Sequence, residues 1–350
     1  MPNIICDACE EQATELVSCC GLCYICCNCD NDLEDSEDSE FEEGEEIVPN
    51  QYGQSFKVSD ASHKQLFNCE RLAGVEWEFN QVHNNSGINA WKSKWGGQIA
   101  HDGSCGQEAV APPVAGDYLV NCLQDLGKAF KEGEADIDDR CGIHVHVDAS
   151  DISWIDMFRV LKVYAHVEPI LYLLGGQHRI NNRYCAPCGE SFANALSKPD
   201  RKGAVLEAAY TERGGHTGHQ YARNRPGKKD NNRYKGLNLC PWLAGRKIRA
   251  KDTTVEFRLH RNVPYKDPDR VIKWTMLCVK IVDWAVNATD VDIAKLPKSS
   301  LRALCDIIAP ECKSWVLERV KNWRLATSFS KGVPRRILLK NGKYTMKLHA

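Results

Sequence analysis

The chain has 350 residues, 43% of them apolar, enough to bury a core, and no run approaches the roughly eighteen apolar residues of a membrane span. Its net charge of −2 hides a division: residues 1–46 hold 15 Asp and Glu and no Lys or Arg, which leaves +13 on the remainder and points to an anionic ligand there. The N-terminus offers no basic patch followed by an apolar stretch, so a soluble, unsecreted, cytoplasmic protein is expected, with its 18 cysteines as thiols and metal ligands instead of disulfides.

The first 30 residues are cysteine-rich. Cys6-x-x-Cys9 and Cys26-x-x-Cys29 have the spacing of a small zinc-ribbon or treble-clef-like module, which would draw its folding energy from Zn²⁺. Cys20 and Cys23, with Cys19 and Cys27, leave room for a second ion or another ligand set. With no basic residue, this head is poorly suited to nucleic acid and better suited to docking a protein. Residues 31–50 form an acidic stretch with little to bury, predicted to be a disordered linker to a body at 51–350.

In that body, GVEWEF at 74–79 alternates at the period of a strand and places Glu76 and Glu78 on one face. Two carboxylates side by side repel unless a cation or a proton neutralises them, and Mg²⁺ or Mn²⁺ suits that role beside a nucleotide. Alone, such a pair is more often a solvated strand face. The segment 101–113, HDGSCGQEAVAPP, reads as a turn and a short strand stopped by Pro112-Pro113, with Glu108 as a further carboxylate ligand or an exposed loop residue.

CGIHVHVD at 141–148 is a second alternating strand, with His144 and His146 on one face; HxH can hold zinc, or place one imidazole on a metal and the other on a phosphate. A helix is predicted over 154–174. Cys185-x-x-Cys188 follows as a lone pair, read as reduced structural thiols. The glycine-rich, basic stretch 214–230 fits either a flap over an anion or an ordinary solvated loop. TTVEFRLH at 253–260 is a third strand, where Glu256 and Arg258 share a face; they can form a plain salt bridge, or a metal ligand beside a phosphate-binding fork. Further helices are predicted over 271–288, 300–308 and 312–323. Strands interrupted by helices without regular alternation favour an α+β fold with a mainly antiparallel sheet.

The succession GVEWEF, DGSCGQEAVAPP, CGIHVHVD, RINNRYC, RYKGLN and TVEFRLH, spanning 71–261, resembles the amidoligase family within the glutamine-synthetase-like carboxylate-amine ligases. The resemblance implies a curved antiparallel sheet with packed helices, binding ATP and Mg²⁺ or Mn²⁺; the helical spacing beyond it makes 270–325 a helical C-terminal part. It implies that Glu76, Glu78, Glu108, His144, His146 and Glu256 hold metal, with His146, Glu256 and the phosphate-binding Arg258 as catalytic residues. Arg179, Asn182 and Tyr184, and Arg233, Tyr234 and Asn238, match two segments that would contact ATP or substrate. Ala111 stands where the family usually has serine.

The function so implied is amide formation between a carboxylate and an amine by way of an acyl phosphate. Two other readings are a zinc-finger adaptor whose ligase-like fold only binds a polyanion, and a zinc hydrolase centred on HxH.

Overall fold

The computed structural model describes residues 71–182, 184–188, 234–243, 253–262 and 267–327, with the backbone of three separate hairpins, Glu15–Ser18 with Tyr24–Ile25, Glu46–Pro49 with Ser55–Val58, and Pro334–Lys340 with Lys343–Leu348. The cysteine head's proposed ligands, Arg233 and the 214–230 loop lie outside the described residues.

The centre is a six-stranded sheet. In chain order its strands are β1 (Ala73–Phe79), β2 (Gln98–Asp102), β3 (Gly106–Val110), β4 (Gly142–Asp148), β5 (Leu237–Asn238) and β6 (Thr254–Arg261). They lie side by side as β2-β3-β1-β4-β6-β5, and every neighbouring pair is antiparallel. The helices are α1 (Ser86–Trp95), α2 (Gly116–Glu132), α3 (Trp154–Gly175), α4 (Pro268–Asn287), α5 (Asp290–Ala294), α6 (Ser300–Ala303) and α7 (Lys313–Thr327). A mixed α/β fold with an antiparallel sheet and packed helices therefore meets the coarse expectation from sequence.

Alternation divides the sheet into two faces. Val75, Trp77 and Phe79 on β1, Ile143, Val145 and Val147 on β4, and Val255, Phe257 and Leu259 on β6 are all fully buried. Against them pack α3 and α4, while Phe130 of α2 meets Trp77 edge-on, ring centroids 5.2 Å apart. The residues between them in sequence face the other way and carry the charges described below.

Local chemistry fixes the ends of these elements. Ser153 caps α3, its hydroxyl accepting from the Asp156 amide at 3.2 Å, and Asp267 caps α4 with Pro268 in the first turn. The hairpin joining β2 to β3 turns at Gly106, whose φ of +121° and 2.8 Å clearance between a built Cβ and the Asn80 carbonyl leave room only for glycine. The segment expected as turn and strand is thus the second half of a two-stranded hairpin. Three helices, α1, α2 and the short α5, were not among those expected from sequence. The helix expected over 300–308 is α6 followed by a π-helical turn, Leu304–Ile308.

Candidate functional site

Register brings the charged residues into one patch. Glu76 pairs with His144 across β1 and β4, Glu78 with Glu108 across β1 and β3, Glu256 with His146 across β6 and β4, and Asn238 of β5 with Glu256. Directly opposed side chains stand about 5 Å apart, so five strands supply one connected cluster. A register shift on β6 between Phe257 and His260 inserts one extra residue. The bulge leaves Arg258 beside Glu256 while turning His260 into the helix layer, where its ring lies 4.8 Å from Trp274.

The contacts are dense. Glu76 receives His144 Nδ1 at 2.9 Å and has His146 Nε2 at 3.1 Å; His146 Nδ1 lies 3.0 Å from the Thr254 hydroxyl. His146 Nε2 is buried and, despite its nearness to Glu76, makes no hydrogen bond. Glu78 accepts the Gly142 amide and lies 3.5 Å from His144 Nε2. Glu256 accepts from Arg258 Nη1 and, at 2.5 Å, from Asn238 Nδ2. A Cβ at Gly142 would fall 2.9 Å from Arg179 Nη2 and 3.3 Å from Glu78, so the glycine lets backbone enter the cluster.

Burial of these groups sets their proton affinities. It disfavours the Glu76 carboxylate, but His146 and His144 outweigh it and hold the group well below the ordinary range. Burial likewise opposes the His146 imidazolium, yet Glu76 and Glu256 raise it to about 9. Glu256 is lowered by Arg258 and His146 against the pull of burial. Glu108 goes the other way: burial, then the charges of Glu76, Asp102, Glu78 and Glu256, push it up to about 8. It is the carboxylate left without a cationic partner.

A cavity of about 400 Å³ opens on this cluster, lined by Glu76, Glu78, Glu108, His144, Arg179 and Arg258 together with Tyr184 and Tyr234. The two tyrosine rings meet edge-on at 5.2 Å, and the Arg258 guanidinium lies 5.8 Å from the Tyr234 ring centre. Arg179 is buried and donates to the Arg258 carbonyl at 3.1 Å, its Nε unpartnered. Asn238 acts through Glu256, and Asn182 accepts the Tyr184 amide at 2.8 Å; neither lines the cavity. Cys185 and Cys188 are buried thiols.

The β2–β3 hairpin adds residues that sequence alone did not single out. Asp102 and Ser104 line the cavity, and Asp102 with Cys105 lies close enough to Glu78 for the three to share an ion. Their only sequence signal is an acid at the tip of a DGS turn, which is common on any surface. Two further sets of donors lie within 4.8 Å of one another: Glu76, Glu108 and His144, and Glu76, His146 and Glu256. Oxygen donors with one imidazole each suit Mg²⁺ or Mn²⁺, and the crowding that keeps Glu108 protonated is the kind a cation relieves.

A family model described as "Putative amidoligase enzyme" matches residues 35–282. No curated protein matches the chain significantly. Among solved structures, a bifunctional glutathione synthetase from Pasteurella multocida is similar at 14% identity and a TM-score of 0.44, over 74% of this chain and 47% of that one, so the match spans about half of that enzyme's length.

Proposed function

The chain belongs to the amidoligase family, and from that premise we propose that it is an ATP-dependent ligase joining a carboxylate to an amine through an acyl phosphate. The observation that carries this reading is the single cluster in which Glu76, Glu78, Glu108 and Glu256 surround two imidazoles beside a buried arginine. A group that only bound a polyanion would have no use for carboxylates lining the same cavity.

A carboxylate is a poor electrophile, and activation as an acyl phosphate makes its oxygen a leaving group for the amine. Glu76, Glu78, Glu108, His144, His146 and Glu256 would hold Mg²⁺ or Mn²⁺, which when bound supplies neutralisation of phosphate charge. Arg258, fixed by Glu256 and by the Tyr184 carbonyl at 3.3 Å, presents its remaining N–H groups to the transferred phosphoryl oxygens. Asn238 orients Glu256, and Gly142 with His144 orients Glu78. Arg179, Tyr184 and Tyr234 line the part of the cavity where nucleotide or substrate would lie. Zinc in the cysteine head, and its use as a protein-docking module on a linker at 31–50, rest on cysteine spacing and composition; metal analysis of the full chain and of a C6S/C9S variant tests the zinc.

The test of the ligase reading is release of ADP and phosphate, dependent on Mg²⁺ or Mn²⁺, together with mass-spectrometric loss of water between amino-acid or peptide pairs. Full ligation by both E256A and R258A would sink the site assignment. Turnover without ATP that a zinc chelator abolishes would favour the hydrolase.

A further inference from the structure

Glu168 is a buried carboxylate on α3, on the helix side of the sheet, and it belongs to none of the donor sets that could hold a metal among the described residues. Tyr164 and Tyr172 lie about one turn to either side of it and are buried too, so the three form a polar stripe along a buried face of the helix. An acid in such a place is costly unless its oxygens are bonded. Its partner is backbone: Glu168 accepts the Cys188 amide at 2.8 Å. Tyr172 donates to the Cys185 carbonyl at 2.5 Å, and burial, before the neighbouring Cys185 and Glu168, pushes its phenol well above the usual value and keeps it a donor. One helix face thus holds both ends of a short segment.

That segment is tied to a second one. Ala186 and Lys235 form a parallel bridge, in which the Ala186 amide donates to the Tyr234 carbonyl and the Gly236 amide to the Ala186 carbonyl, each at 2.8 Å. Gly236 itself passes against the stripe, where a Cβ would fall 2.6 Å from both the Tyr164 and the Tyr172 hydroxyl. Both segments lead to the cavity. Tyr184 and Tyr234, next to these contacts in the chain, line it together with Arg258. Arg258 is held by the two segments at two points, its backbone amide donating to the Gly236 carbonyl at 2.9 Å and its Nε to the Tyr184 carbonyl at 3.3 Å.

We propose that Glu168 and Tyr172 are positioning residues for the candidate ligase site, fixing the Arg258 guanidinium and the Tyr184–Tyr234 pair by way of the 184–188 and 234–236 segments. This rests on the ligase reading above. Neither residue lines the cavity. Their effect is to hold a donor where it must meet developing phosphoryl charge, and a displacement of about 1 Å there is enough to slow turnover. The metal donors Glu76, Glu78, Glu108 and His144 come from β1, β3 and β4, outside these two segments.

The experiment measures four quantities on the full chain: ADP release at saturating ATP with amino-acid or peptide pairs, Mn²⁺ binding without nucleotide, thermal unfolding, and hydrogen exchange by mass spectrometry over 184–188 and 234–238. Y172F removes one hydroxyl and keeps the ring. Its kcat should fall by about tenfold or more at unchanged Mn²⁺ affinity, and exchange in both segments should quicken by about tenfold, the loss of one hydrogen bond. E168A should act alike, and E168Q, which keeps an acceptor oxygen for the Cys188 amide, should restore both. V163A, a plain truncation at a buried site of the same helix, should lower Tm and leave kcat of the folded protein unchanged. An unaltered kcat in Y172F, or an equal fall in V163A, overturns the proposal. A wild type that releases no ADP sinks the ligase reading instead; the exchange measurement still judges the two segments, and unchanged exchange in Y172F overturns the positioning role.

Discussion

Along β1, Val75, Trp77 and Phe79 alternate with Glu76 and Glu78, and the same alternation on β4 and β6 gives one sheet two faces of opposite chemistry. The apolar face is closed by α3 and α4 and by Phe130 of α2. Its stability comes from area removed from water. The polar face is nearly as shielded: Glu78, His144, Glu256 and Arg258 are buried, yet it opens on a cavity of about 400 Å³ and retains a carboxylate, Glu108, that is cheaper to protonate than to ionise. One face is closed by apolar packing. The other has the charge pattern of a site that awaits cations and an anionic ligand.

Substitutions on the two faces should therefore separate activity from stability. R258A removes the one guanidinium paired to Glu256 at the cavity, and ligation should fall by at least about 10²-fold, the usual loss for a donor aimed at developing charge. W77A should do the reverse. It empties a fully buried position and removes the Nε1 hydrogen bond to Asn262 at 2.6 Å, costing about 3–5 kcal/mol in denaturant unfolding. Equal losses of stability from R258A and W77A would break the distinction between the faces. A smaller effect is expected of E76Q: a partial loss of stability in chelator, because Glu76 pairs with His144 and His146, and loss of the stabilisation that Mn²⁺ gives the wild type.

Much of this was written in local pattern. The three strands and the placement of Glu76, Glu78, His144, His146, Glu256 and Arg258 on one side followed from a period of two, because burial on one face fixes register. α2 also had a readable signal, Leu119, Leu123, Leu126 and Phe130 at helical spacing, whereas α1 is mostly polar and buries only Ile88, Trp91 and Trp95. What sequence could not supply was pairing across distance. Asp102 and Cys105 reach Glu78 only because the β2–β3 hairpin folds beside β1, and Asn238 reaches Glu256 only through the short β5 edge. Nor did any motif announce that the charges of Arg261 and Arg319, 58 positions apart, both act on Arg270.

The polar face also makes a pH prediction. Glu108 at about 8 and His146 at about 9 both bind protons more tightly in the folded chain than in the unfolded one, where carboxyls and imidazoles have ordinary values near 4.5 and 6.5. Stability from such groups is full below the unfolded value and is lost as pH rises through the folded one. For Glu108 that window runs from about 4.5 through 8, and for His146 from about 6.5 through 9, so in chelator Tm should fall between pH 6.5 and 8, where both contribute. Glu76 and Glu256, held low, act in the other direction and only in acid, where their stabilisation is lost as pH falls. E108Q removes one of the two titrating groups and should flatten the decline above pH 6.5. A divalent cation must displace the same protons to reach its ligands, so Mn²⁺ binding near pH 7 should release protons, seen as a calorimetric heat that varies with the buffer. E108Q should release fewer. If its proton release and its Tm profile match the wild type, Glu108 does not face the cation, and the polar face would be smaller than its geometry suggests.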